Sequence, residues 1–213
     1  MKHGIGSKHY THSELLSGLS LVDSISTLIF TSMISVPIPA NESARLKAVE
    51  EYNLSAGEAL LGGVYQEITR MAAEISGTPV AFIGLVGEKH EWFKAKLGLD
   101  IEQVPRQYSF CGHAIVAPAQ TMVVEDARYD ERFHDNPLTT GDPRIVFYAG
   151  VPLVDSQGFA LGALAIIDSR PRELSDTKLI ALQLLARLAE AHLELEKTKK
   201  LLKNALLVGR RPA

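Results

Sequence analysis

"IVFYAGVPLVDSQGFALGALAIID", residues 145–168, decides the fold. Two apolar runs flank the turn residues Asp155, Ser156, Gln157 and Gly158, so the stretch reads as a β-hairpin.

Working outward, "TPVAFIGLVGE" (78–88) is another short apolar run, opened by Pro79 and closed by Gly87. It predicts a central strand with "HEWFKAKLGL" (90–99) as its hairpin neighbour across Glu88 and Lys89. "IEQVPRQYS" (101–109) reads as a polar loop, Cys111 to about Val116 as a small helix ended by Pro118, and "TMVVED" (121–126) as a brief strand. "ARYDERFHDNPLTTGDPR" (127–144) is rich in turn residues and reads as a long loop with a helical turn at Asp130 to Phe133; loops of this length in compact domains tend to be functional.

Helices bracket these strands. Asn41 reads as an N-cap after Pro37 and Pro39, and apolar residues then recur at three and four between Ala44 and Ile75, with a break near "SAGE" (55–58). Ser175 caps a long final helix in which Leu179, Leu182, Ala186, Ala189 and Leu193 form a seam, expected here to pair with a second copy of the chain. The order of elements predicts an α+β fold: a central antiparallel sheet flanked by helices, with a long C-terminal helix. The expected division is an unassigned N-terminal extension at 1–36, a domain at 37–193 and a helical extension at 194–213.

Composition excludes several functions. With 22 basic residues, 25 acidic ones and a formal net charge of -3, the 213-residue chain has no electrostatic footprint for nucleic acid. The basic run "EKTKKLLKNALLVGRRPA" (196–213) reads as a solvated helix end. A single cysteine makes no internal disulfide, and no Cys/His spacing fits zinc, so no metal is expected and the composition suits a reducing cytoplasm. Leu15 to Pro39 approaches the length of a membrane span, but Asp23 and six serines argue for an amphipathic extension.

Taken together, "PIPANESARLKAVEEY", "PVAFIGLVGEKHEWFKAKLGLD", "YSFCGHAI", "VVEDARYDERFHDNPLTTGDPRIVFYAGVPL" and "LGALAIIDSRPRELS" resemble a GAF domain, of the bacterial group that accompanies histidine kinases and diguanylate cyclases. The resemblance runs from about Pro37 to Leu193. It implies a PAS-like fold with a pocket under loops on the front of the sheet, a sensory or relaying role without catalysis, and a histidine kinase or diguanylate cyclase as partner. Against that group the chain departs at "LSAGEALLGGVYQ" (54–66), at Val146 where arginine is common, and at Ala165 where cysteine is frequent.

Cys111 and His113, two apart on a helix, point about 200° away from each other and cannot act as nucleophile and base. Thiol reduction of methionine sulfoxide, known in one GAF-like family, needs a second cysteine, and bilin attachment in phytochrome-related domains uses a Cys-His pair that Gly112 here interrupts. Cys111 therefore reads as a buried thiol and His113 as hydrogen-bonded at a pocket edge. The candidate ligand-binding residues are Trp92, Phe93, Phe110, Cys111, His113, Asp126, Phe133, Asn136, Phe147 and Tyr148, a mixture of aromatic walls and a few polar groups. Phe133, Asn136 and Pro137 equally suit a loop folded onto the sheet. The ligand is an unidentified small molecule, and no cofactor is specified. A ligand-free interaction module is the alternative expectation, and a thiol-based redox enzyme the less favoured one.

Overall fold

A computed structural model of the protein describes residues 34–52 and 63–208, and the described residues from Ser35 onward belong to one unit. The expected amphipathic extension before Ile34 and the break near "SAGE" lie outside the described residues.

Six strands form one sheet in the order β3-β2-β1-β6-β5-β4: β1 Val80–Val86, β2 His90–Leu97, β3 Gln103–Pro105, β4 Met122–Val124, β5 Phe147–Val154 and β6 Ala160–Asp168. Every neighbouring pair is antiparallel. The hairpin read from 145–168 is β5–β6, and its turn is held by Asp155, whose side chain accepts from the Gln157 and Phe159 amides. Strand β3, in a stretch that reads as loop, gains its order from β2, with His90 opposite Pro105 and Trp92 opposite Gln103.

Among the described residues five α-helices accompany the sheet: α1 Glu42–Tyr52, α2 Val64–Ser76, α3 Phe110–Ala114, α4 Pro137–Thr140 and α5 Asp176–Val208. Helix α2 ends where Gly77 adopts a left-handed conformation (φ 71°) and returns its amide to Ala73 and Glu74, a turn that a side chain would strain. Helix α5 runs unbroken for 33 residues, across the 193/194 boundary where the sequence reading places the start of the helical extension.

Period-two alternation divides the apolar side chains into two cores. Ala81, Ile83, Leu85, Phe147, Ala149, Leu153, Leu164 and Ile166 point to the back, against α1, α2 and α5. Phe82, Val86, Tyr148, Ala163, Ala165 and Ile167 point to the front, beneath α3 and the long loop. Covered on both faces, β6 is buried along its whole length.

Two contacts fix the helices to this frame. Arg45 of α1 is fully buried; it donates to the Val86 carbonyl at 2.7 Å and the Ala160 carbonyl at 3.2 Å, and pairs with Glu42. On α5 the row Leu182, Ala186, Ala189 and Leu193 is the face packed into the back core, each residue no more than 1 % exposed. The seam expected to meet a second copy is therefore corrected: its side chains are occupied by their own sheet and by α2.

Candidate functional site

The front core encloses a cavity. Phe82, Phe93, Phe110, Tyr148 and Ile167 form its floor and back wall, Leu99, Ile101 and Val104 one side, and Leu138, Pro143 and Ile145 of the long loop the other. It is small, about 20 Å3, room for roughly one water molecule.

Local sequence explains how the wall is built. Ser109 is the N-cap of α3, its Oγ accepting from the Gly112 amide at 2.8 Å. That cap turns Phe110 inward, where it stacks on Phe133 (centroids 3.9 Å apart, 9° between planes) and leans against Tyr148 at 5.2 Å. Asn136 is the N-cap of α4 ahead of Pro137: its side-chain oxygen accepts from the Leu138 amide, and its Nδ2 donates to the Tyr108 carbonyl at 3.1 Å. Asn136 thereby ties the long loop to the segment entering α3.

The ten candidate residues separate by strand alternation. Phe93, Phe110 and Tyr148 line the cavity. Trp92 and Phe147, their neighbours in sequence, lie on the opposite face in the back core, because adjacent strand residues alternate. Phe133 is fully buried behind Phe110, and His113 packs edge-on against Phe133 at 4.9 Å. Asp126 is paired with Arg128 in the loop, away from the cavity lining.

Cys111 is fully buried beneath the wall, where the Tyr148 hydroxyl donates to its sulfur at 3.3 Å. Burial pushes its thiol well up, and the adjacent Glu91 carboxyl adds to that, so the helix start does not activate it. Tyr148 is likewise raised, by burial and by Cys111. Burial lowers the His113 pKa to about 4, with the Arg132 guanidinium acting in the same direction and Asp130 against it, so the imidazole is neutral at physiological pH.

Sequence reasoning misses Glu91. It is 2 % exposed on the front face of β2, lines the cavity, and accepts a 2.5 Å hydrogen bond from Ser109 on Oε2. Its signal is the spacing to Phe93: two apart on one strand, both face the same side.

Among the described residues no group of three or more His, Cys, Asp or Glu side chains is arranged to hold a metal ion, and no helix is long and apolar enough to cross a membrane.

The model of the GAF domain family matches residues 61–193. A Pseudomonas aeruginosa protein named cyclic di-GMP phosphodiesterase is 40% identical over 162 residues, 76% of this chain and 27% of that protein, so the chain spans about a quarter of the relative's length. The expectation that the chain has no part in an enzyme is corrected by this relative, which is named as one. In fold, the chain is similar to the blue-light absorbing form of the Thermosynechococcus elongatus PixJ GAF domain, at TM-score 0.55 and 12% identity over 79% of this chain and 98% of that one. A domain from a Sinorhizobium meliloti protein described as a two-component sensor histidine kinase gives TM-score 0.53 and 19% identity over 66% and 95%. The sheet order, the cavity beneath α3 and the matched 61–193 agree, and the chain belongs to the GAF domain family.

Proposed function

We propose that the chain is a sensory GAF module working in cyclic di-GMP signalling, whose front cavity takes a small molecule and whose α5 helix pairs with a second copy to pass the occupancy on. The output is the phosphodiesterase chemistry for which the Pseudomonas aeruginosa relative is named. A histidine kinase or diguanylate cyclase as direct partner, and a cytoplasmic location, belong to the same reading.

The observation that carries it is the second apolar face of α5. Ile180, Leu184, Leu188, Leu195, Leu202 and Leu206 are 45–61% exposed. At 100° per residue they fall on one stripe, roughly opposite the buried Leu182 row. Leu188, Leu195 and Leu202 are seven apart, and Leu184, Ala191, Thr198 and Ala205 interleave with them at the offset of a two-stranded coiled coil. From Ile180 to Leu206 the stripe runs about 39 Å at 1.5 Å per residue. A helix apolar on two opposite sides, one filled by its own sheet, has the pattern of a dimer axis.

Native mass spectrometry under gentle and then denaturing conditions tests the reading. The expected result is a dimer carrying extra mass that leaves on denaturation. A bare dimer would move the function to a ligand-free interaction module, and a monomer over the micromolar range would overturn the pairing.

A further inference from the structure

At about 20 Å3 the front cavity is closed to anything larger than a water molecule, so a ligand must first move a wall. The floor cannot yield without breaking the sheet, because Phe82, Phe93, Tyr148 and Ile167 stand on four paired strands. Of the two sides, the 136–145 loop is closed on itself by backbone bonds. Its Thr139 and Thr140 amides donate to the Asn136 carbonyl, Gly141 donates to Pro137 at 2.9 Å and Ile145 to Leu138 at 2.6 Å, while Asn136 Nδ2 ties the whole to the Tyr108 carbonyl.

The other side, Leu99, Ile101 and Val104, is built differently. Residues 98–102 link β2 to β3 in neither helix nor strand, and β3 is three residues at the edge of the sheet, ending in a proline that has no amide to donate. Gly98 turns the chain at φ 70°, so close to the Pro79 carbonyl that a Cβ would sit 2.4 Å from its oxygen. Beyond that turn a side chain holds the segment: Lys96 Nζ donates to the Ile101 carbonyl at 2.8 Å and pairs with Glu102 at 2.5 Å. Glu102 is 74% exposed, so water competes for it and the grip rests on the Ile101 bond.

We propose that residues 98–104 are the door of the cavity, a flap that pivots at Gly98 and is latched by the Lys96 ammonium on the Ile101 carbonyl. The inference rests on the sensory reading above and says how a molecule enters. Closed, the flap lays Leu99 and Val104, 8% and 3% exposed, against the cavity. Open, it carries those side chains into water together with the edge strand, while α4 and the four central strands keep their hydrogen bonds. The apolar contact makes the closed form the resting one, and the latch sets how often it opens.

Lys96→Met tests the latch, because it keeps the apolar stem of the side chain and removes the donor. Two rates are read in the full chain with and without it: hydrogen exchange by mass spectrometry, and labelling by methyl methanethiosulfonate of a thiol placed on the far wall by Ile145→Cys, resolved from Cys111 by peptide mass. A charge-assisted hydrogen bond holds a closed form by about tenfold. Exchange over 98–105 is therefore expected to rise about tenfold in Lys96→Met, with 136–146 unchanged, and labelling at position 145 to quicken by a similar factor. Faster exchange over 136–146 alone would make that loop the door, and an equal rise in both stretches would mean general loosening; either overturns the inference, as does no change in either. Faster exchange over 98–105 with unchanged labelling overturns it too, since the flap would then not lead into the cavity. Where Ile145→Cys fails to fold, the exchange pattern of Lys96→Met decides. Neither rate involves a ligand, so the native mass measurement above judges the sensory reading separately.

Discussion

The two faces of α5 make opposite predictions for substitutions a few residues apart. Leu188 and Leu195 are 51% and 45% exposed in the single chain, so pairing can still remove about half of each side chain from water. Full burial of a leucine is worth about 1.5–3 kcal/mol, so each contributes about 1 kcal/mol to pairing. Two residues on each of two chains give about 4 kcal/mol, close to a thousandfold in the dimer dissociation constant. Leu188→Glu with Leu195→Glu removes that and sets like charges against each other along the axis. Because both positions are solvent-exposed within the chain, folding stability should change by about 0.5 kcal/mol or less per site. Leu182→Ala acts the other way: at 1 % exposure it opens a cavity against the back core and should cost about 2–5 kcal/mol of folding. Sedimentation equilibrium over a concentration series reads the first quantity, and urea midpoints read the second. A dimer of undiminished affinity in the double glutamate variant would refute the stripe as its axis.

Buried contacts give three further expected outcomes. Gly84→Ala drives a methyl into Glu91 Oε1 and should cost about 1–3 kcal/mol in urea unfolding; the penalty should largely vanish in a Glu91→Ala background, and a penalty of the same size there would contradict the contact. His113 titrates at about 4 in the folded chain against about 6.5 when unfolded, so stability should fall as pH drops from 6.5 towards 4, by about 2 kcal/mol once solvent screening at this partly open site is allowed for. His113→Gln should flatten that slope in pH-dependent urea titrations. At Glu42 burial is outweighed by Arg45 and Arg106, which lower its pKa to about 2; its contribution is present above the ordinary carboxylate range and lost as pH falls towards 2. Glu42→Gln should therefore remove an acid-unfolding step, read by circular dichroism between pH 5 and pH 2.

The sheet was legible where local chemistry and tertiary burial agree. The Asp155–Gly158 turn and the two apolar runs around it specify a hairpin, and β5 and β6 supply one. Strand β3 was not legible, because three residues ending in proline carry no periodicity and are ordered only by β2. The same limit governs α5: a three-and-four spacing tells that Leu182 and Leu188 lie on apolar faces, but not which of them meets the chain's own sheet. At the cavity, alternation was available in the sequence. Trp92 with Phe93, and Phe147 with Tyr148, cannot share a face, and the strand register alone sends the first of each pair to the back. Glu91 required more, since a charged residue in a strand next to a hairpin reads as an edge position until its burial is known.

The transmission proposed for the cavity would need a continuous physical connection, and the clasp around Glu42 is one. The cavity wall begins at Ser109, just after the turn of Arg106–Tyr108. Arg106 pairs with Glu42 and donates to the Gly87 carbonyl, while Arg45 shares Glu42 and holds the ends of β1 and β6. Glu42 thus joins the front wall to α1, past the ends of the two central strands. At the other end of α1, the Tyr52 hydroxyl donates to Glu194 of α5 at 2.7 Å, and Glu51 pairs with Lys197 of α5. Each joint is charged or charge-assisted, and so more directional than apolar packing, which lets helices slide. On the proposed sensory reading, a displacement of the 106–110 segment by a ligand would reach α5 through two ion-paired joints and one helix. If α5 pairs with a second copy as proposed, coupling through such a chain requires two discrete arrangements of the pair, which leucines seven apart would supply.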